Sequence, residues 1–197
     1  MKIRLIRHGL TWQGEQKKYQ GALDTPLSDN GRKQLKRAEK DPEEVYVTPL
    51  VRTQETARIL FPSAMQITVD GLREMDFGAF EGRSWQEMEQ DAAYREWVEG
   101  NCEGKCPGGE DKPAFSRRVC RAFETLVDTA IKEGKEELVI VAHGGTQMAV
   151  LERWGGSKKA YYEWQTPCGS GWLLDTEHWP ESLQVIGELT YSEGSAK

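Results

Sequence analysis

A short apolar run near the start of the chain ends abruptly in charge: "LIRHG", Leu5 to Gly9. The arrangement returns late in the chain as "VIVAHGG", Val139 to Gly145. A continuous apolar run of this length, closed by Gly, is the pattern of a strand buried on both faces. Such strands need helices on both sides of a largely parallel sheet. The two His-Gly turns therefore constrain the architecture before anything else does.

The remaining periodicities fit that frame. Further strands are expected at Val45 to Val47 and Gln66 to Val69. Ser28 is placed to cap a helix running to about Lys40, and a second helix runs from Leu50 to Leu60, stopped before Pro62. Helices are also expected at Trp85 to Val98, Pro113 to Lys132 and Gly144 to Trp154. Leu10 to Pro26 and Asn101 to Gly109 read as loops. Gly171 to Asp175 and Leu183 to Leu189 read as a closing pair of strands. The expected fold is α/β: a three-layer sandwich with a mainly parallel central sheet, helices on both faces, an antiparallel edge from the late pair and a small helical cap. One domain is expected over residues 1–197, with 83–112 as the cap.

In open α/β sheets, ligands bind at the carboxyl ends of the strands, where His8 and His143 both fall. The chain has 3 histidines, and two share this setting. The third, His178 in "DTEHWPE", is expected to be an exposed turn residue. A neutral imidazole is a nucleophile near pH 7, since its reference pKa is about 6.5. Attack on phosphorus gives a phosphohistidine and divides hydrolysis into two easier steps. The charge on the transferred group calls for fixed cationic forks. Arg7 is one candidate, and Arg52 in "VTPLVRTQETARIL", just after the second strand, is another. A leaving alkoxide needs a proton. In "GLREMDFGAFEG", Glu74 lies among Met75, Phe77 and Phe80, an apolar setting that raises a carboxyl pKa. On position alone Asp76 and Glu81 compete for the role.

The net charge of -6 argues against a general nucleic-acid or anionic-membrane binder. No apolar run approaches membrane-spanning length, and Arg4, Arg7 and His8 interrupt any apolar leader, so a cytoplasmic protein is expected. Cys102, Cys106, Cys120 and Cys168 are then free thiols. Cys102 and Cys106 are conceivable metal ligands, but no second Cys/His pair completes a site.

Six segments in order resemble the histidine phosphatase superfamily, also called the phosphoglycerate mutase-like family: "RHGLT", "YQGALDTPLSDNGRKQ", "TPLVRTQETA", "LREMDFGAFEG", "PGGED" and "VAHGG". The resemblance covers nearly the whole chain. It implies that His8 is the phosphorylated nucleophile, Arg7 and Arg52 the phosphate-binding arginines and Glu74 the proton donor. It implies that His143 is the second phosphate-binding histidine, with the Gly144 N–H facing the phosphate and Thr11, Gln20 and Gly21 at the substrate. Gly14 stands where the family commonly has Asn, and Lys17 or Lys18 is a candidate to compensate. No metal and no cofactor are implied. The partner is a small phosphate monoester, and the chain is expected to be a monomer or homodimer.

Only about thirty residues separate Glu81 from Asp111, and the tail after Leu189 is short and polar. Family mutases carry longer insertions and a closing tail. A phosphomonoesterase is therefore expected, resembling the α-ribazole phosphatase type among short members. A phosphoglycerate mutase or sugar-phosphate phosphatase is the alternative, and a non-catalytic phosphate-binding module the alternative of another class. Trp85 and Trp97 are candidates to stack on a flat ligand, with core packing as the competing reading for each.

Overall fold

A computed structural model describes residues 1–156 and 159–193. The strands are β1 (Lys2–Arg7), β2 (Glu44–Val47), β3 (Met65–Thr68), β4 (Glu137–Ala142), β5 (Ser170–Asp175) and β6 (Gln184–Thr190). They form one sheet in the order β3-β2-β4-β1-β5-β6. β1 pairs in parallel with β4, β4 with β2, and β2 with β3; β5 runs antiparallel to both β1 and β6. The sheet is mainly parallel, with the late pair as its irregular edge.

Alternation along the central strands builds the layers. Ile3, Leu5, Leu138, Ile140 and Ala142 belong to one hydrophobic cluster, and Ile6, Val139 and Val141 to another. Helices α5 (Lys112–Lys132) and α6 (Gly144–Trp154) feed the first cluster through Phe115, Phe123, Val127 and Leu151. Helix α3 (Val51–Leu60) feeds the second through Ala57 and Leu60. This is the expected three-layer arrangement.

Helix boundaries depart from the sequence reading where tertiary pairing wins. The helix capped by Ser28 is α2 (Asp29–Gln34) and ends well short of Lys40. Leu35 turns extended because the Lys36 N–H bonds to the Tyr191 carbonyl at 2.7 Å and Leu35 bridges to Ser192. The helix expected from Trp85 is α4 (Ala92–Glu99), started by the Asp91 carboxylate, which accepts the Ala93 and Tyr94 N–H groups. Residues 85–90 form turns instead. The first loop holds one short helix, α1 (Trp12–Glu15), with Thr11 as its N-cap.

Among the described residues, no helix is long and apolar enough to cross a membrane.

Candidate active site

Arg7 and Ala142 are register partners at the ends of adjacent strands, so His8 and His143 leave the sheet side by side. Their ring centroids lie 5.3 Å apart at an interplanar angle of 64°. His8 Nδ1 is 2.7 Å from the Gly9 carbonyl oxygen. A carbonyl only accepts, so Nδ1 carries the proton and the Nε2 lone pair is left for chemistry. Burial first, then the Arg52 and Arg7 charges, hold the His8 pKa well below the usual histidine value. The ring is neutral at pH 7. His143 is fully buried, and burial and Arg52 push its pKa down in the same way. Its Nε2 lies 3.0 Å from Thr48 Oγ1, and among the described residues its Nδ1 has no partner.

Both arginines are held by backbone carbonyls. Arg7 Nη1 donates to Thr166 O at 2.6 Å. Arg52, in the first turn of α3, donates from Nη1 to Leu23 O at 2.9 Å and from Nη2 to Gly21 O at 2.7 Å. Carbonyls fix the forks without cancelling their charge. Among the described residues, the Nε groups of both are buried without a partner. Burial lowers the Arg52 pKa to about 10, against the pull of Glu74, Glu81 and Asp24, and it stays cationic at pH 7.

Glu74 stands in the segment after β3. Its Oε1 accepts the Met75 N–H and its Oε2 the Gly145 N–H, both at 2.9 Å. Desolvation raises its pKa; these two bonds and the two arginines oppose the rise without reversing it. Asp76 and Glu81 are engaged elsewhere. The Asp76 carboxylate accepts the Gly78 N–H, and Glu81 gathers the N–H groups of Gly21, Ala22, Leu23 and Phe77. Both serve the backbone of the loops around the site.

Two glycines open α6. A Cβ on Gly144 would lie 3.3 Å from Arg7 Nε, and one on Gly145 would lie 2.0 Å from Glu74 Oε1. Gly145→Ala must therefore move Glu74. An ångström of misplacement costs on the order of 10²-fold in rate, so turnover of an alkyl phosphate should fall by about that factor. Gly187→Ala in β6, where a Cβ meets nothing within 4 Å, is the control. Steady-state kcat and a thermal melt for both variants check this; wild-type kcat in Gly145→Ala would count against it.

A cavity of about 390 Å³ joins these groups. Arg7, His8, Thr11, Gln20, Glu74 and Gly144 line it, whereas Arg52, His143 and Gly21 do not. Thr11 Oγ1 donates to Gln20 Oε1 at 2.6 Å. Gly21 works from behind, with its carbonyl on Arg52 and its N–H on Glu81; a Cβ there would lie 1.7 Å from Met75 O. Gly14 and Lys18 line the cavity; Lys18 Nζ is 3.7 Å from a Glu87 oxygen, while Lys17 is exposed and outside. Trp97 lines the cavity, but Trp85 does not and is 51% exposed, which removes it as a stacking residue. His178 is exposed, as expected.

Several lining residues carry no signal in the sequence. Tyr161 and Tyr162 in the turn after α6, Met148 on α6 and Lys112 at the start of α5 reach the cavity only through tertiary folding. Thr48 sits inside the motif that supplies Arg52, which was the one available hint. Cys102 and Cys168 line the cavity as free thiols, and Cys106 and Cys120 are buried thiols. Among the described residues, no three His, Cys, Asp or Glu side chains converge as a metal site.

The sequence profile of the histidine phosphatase superfamily (branch 1) matches residues 3–181. The chain belongs to the histidine phosphatase superfamily. Phosphoglycerate mutase-like protein 4 of Arabidopsis thaliana is 30% identical over 205 residues, spanning 98% of this histidine phosphatase and 87% of the relative. The crystal structure of TTHB049 from Thermus thermophilus superposes with a TM-score of 0.75 at 29% identity, covering 100% of this chain and 99% of that one. The α-ribazole phosphatase from Shigella flexneri shares the fold, with a TM-score of 0.79 at 23% identity over 100% of both chains.

Proposed function

We propose that this histidine phosphatase hydrolyses a small-molecule phosphate monoester through a phosphohistidine on His8. One observation carries the proposal: His8, with its Nδ1 proton committed to Gly9, lines the same cavity as Arg7 and Glu74. In the first step His8 Nε2 attacks phosphorus, the ester P–O bond breaks and Glu74 gives its proton to the departing oxygen. Arg7, Arg52, His143 and the Gly144 N–H hold the phosphoryl oxygens as charge spreads over them. In the second step the Glu74 carboxylate takes a proton from water, water oxygen attacks phosphorus, the P–N bond breaks and phosphate leaves.

The alcohol half of the ester meets Tyr19, Phe77, Trp97, Met148, Tyr161 and Tyr162, all lining the cavity. Such walls favour a ring-bearing alcohol over a three-carbon acid, since apolar contact rewards a larger flat group. This supports an α-ribazole 5'-phosphate type of substrate. The phosphoglycerate mutase reading has the names of relatives on its side, and a sugar phosphate remains the other candidate ester.

Positive charge for the transferred group comes from two arginines, the part a metal plays in other phosphatases. Turnover of p-nitrophenyl phosphate is expected to survive excess EDTA. Under the same conditions, α-ribazole 5'-phosphate should show a higher kcat/KM than 3-phosphoglycerate or a hexose phosphate, with phosphate released. Loss of turnover in EDTA that a divalent ion restores would sink the mechanism. Conversion of a phosphoglycerate to its isomer without phosphate release would favour the mutase, and no turnover of any ester the non-catalytic module.

A further inference from the structure

We propose that Thr48 is a positioning residue for this chemistry: its hydroxyl holds His143 in the tautomer that carries the proton on Nδ1. The inference rests on the reading that His143 meets the phosphoryl group, and it names what makes that contact attractive. A neutral imidazole has one N–H and one lone pair. A phosphoryl oxygen at neutral pH only accepts. The ring therefore binds it through an N–H, and through a lone pair it repels it. Which nitrogen carries the proton is set by the partner of the other.

Among the described residues, His143 has one such partner. Nε2 lies 3.0 Å from Thr48 Oγ1, while Nδ1 is buried with none. Thr48 is itself fully buried and follows β2, whose Val47 is in register with Val141 of β4. Continuing that register sets Thr48 level with Ala142, one residue before His143, so the sheet fixes their approach. The hydroxyl oxygen also accepts the Leu50 N–H at 3.4 Å, and its remaining neighbour, Thr53 Oγ1 at 3.0 Å, has outlets of its own in the carbonyls of Leu50 at 2.9 Å and Thr48 at 3.1 Å. Thr53 also accepts the Thr48 N–H at 3.2 Å. With Thr53 donating to a carbonyl, the Thr48 proton is free to point at His143 Nε2. Nε2 then accepts, and Nδ1 becomes the donor. An accepted bond on one nitrogen also polarises the N–H on the other, strengthening it as a donor.

The test is the tautomer itself. In a His178→Gln background, His8 and His143 are the two remaining histidines of the original 3. Two-bond ¹⁵N–¹H spectra of this protein with inorganic phosphate should show His143 protonated on Nδ1 with Nε2 accepting. Thr48→Ser, which keeps the hydroxyl, should preserve that signature and inhibition by phosphate close to wild type. Thr48→Val keeps the shape and loses the hydroxyl. It should show mixed tautomers and inhibition weaker by about tenfold, the low end of what an orienting partner contributes. A proton on Nε2 in the phosphate-bound protein would overturn the inference, and so would a Val variant matching the Ser variant. The spectrum without a Thr48 substitution decides even where the Val variant fails to fold. His143 signals that do not respond to phosphate at all would remove the underlying reading, an outcome distinct from a response with the proton on the wrong nitrogen.

Discussion

His8→Ala is expected to leave no alkali-stable phosphoenzyme and to lower turnover by on the order of 10⁵–10⁶-fold, the scale seen when a covalent nucleophile is removed from an otherwise intact site. The reason lies in the Gly9 carbonyl. Because it accepts the hydrogen bond from Nδ1–H, Nε2 presents a lone pair without a prior proton transfer. Burial and the two arginines keep the ring neutral, so almost every molecule is competent at pH 7. Cys102, a thiol in the same cavity, has its pKa pushed up by burial, and the His143 Nε2 faces the Thr48 hydroxyl. Labelled substrate, a brief reaction and an alkaline quench should leave label on His8 in the wild type and none in the variant. Label retained in His8→Ala would mean that another residue attacks.

Glu74→Gln is expected to separate substrates by their leaving group. The amide keeps the shape and loses the proton. An alkyl alkoxide departs poorly without one, while p-nitrophenolate departs readily as an anion. General acid catalysis contributes about 10²–10⁴-fold, or roughly 3–5 kcal/mol at 1.36 kcal/mol per decade. A loss of that order is expected in the burst rate on an alkyl phosphate, with a clearly smaller one on p-nitrophenyl phosphate. Single-turnover bursts keep the second step, where Glu74 is proposed to activate water, out of the comparison. The pH dependence has a definite sign. Burial raises the Glu74 pKa, so the proton-donating form persists to higher pH than an ordinary glutamate allows and disappears as pH rises through that value. His8 is depressed, so the nucleophile is lost only as pH falls through a value well below the usual one. The wild-type burst on an alkyl phosphate should decline on the alkaline side, and Glu74→Gln should abolish that limb. Equal burst losses on both esters would reject the acid role.

The two central strands and the turns that end them were legible because burial on both faces leaves a continuous apolar run, and because His-Gly at its end has few structural excuses. Helix α5 was legible from a stripe repeated along 21 residues. Where α2 stops was not, since Leu35 is a good helix former and only its bridge to Ser192, far along the chain, turns it extended. Trp85 and Trp97 look alike as letters. The Asp91 cap, which starts α4 late, sends Trp97 to the cavity with Tyr94 beneath it and leaves Trp85 in the turn before. The contest among Glu74, Asp76 and Glu81 was unreadable for a related reason: Glu74 meets the N–H of Gly145 and Glu81 those of Gly21, Ala22 and Leu23, all on distant segments, while Asp76 meets that of the nearby Gly78. Thr48 was visible only as part of the motif that supplies Arg52; its place beside His143 comes from the fold.

The groups assigned to the chemistry stand on the ends of β1 and β4, the first turns of α3 and α6, and the segment after β3, all anchored in the interior. The aromatic walls come from segments outside the sheet: the loop after β1, the stretch from Phe77 through α4 and the turn after α6. A substitution among the aromatic side chains alters shape and polarity around the alcohol, while the backbone of the first loop, whose Gly21 and Leu23 carbonyls hold Arg52, has to stay. Selection can then act on the two sets almost independently. Such a chain can change its diet by exchanging wall side chains while the proposed reaction stays the same.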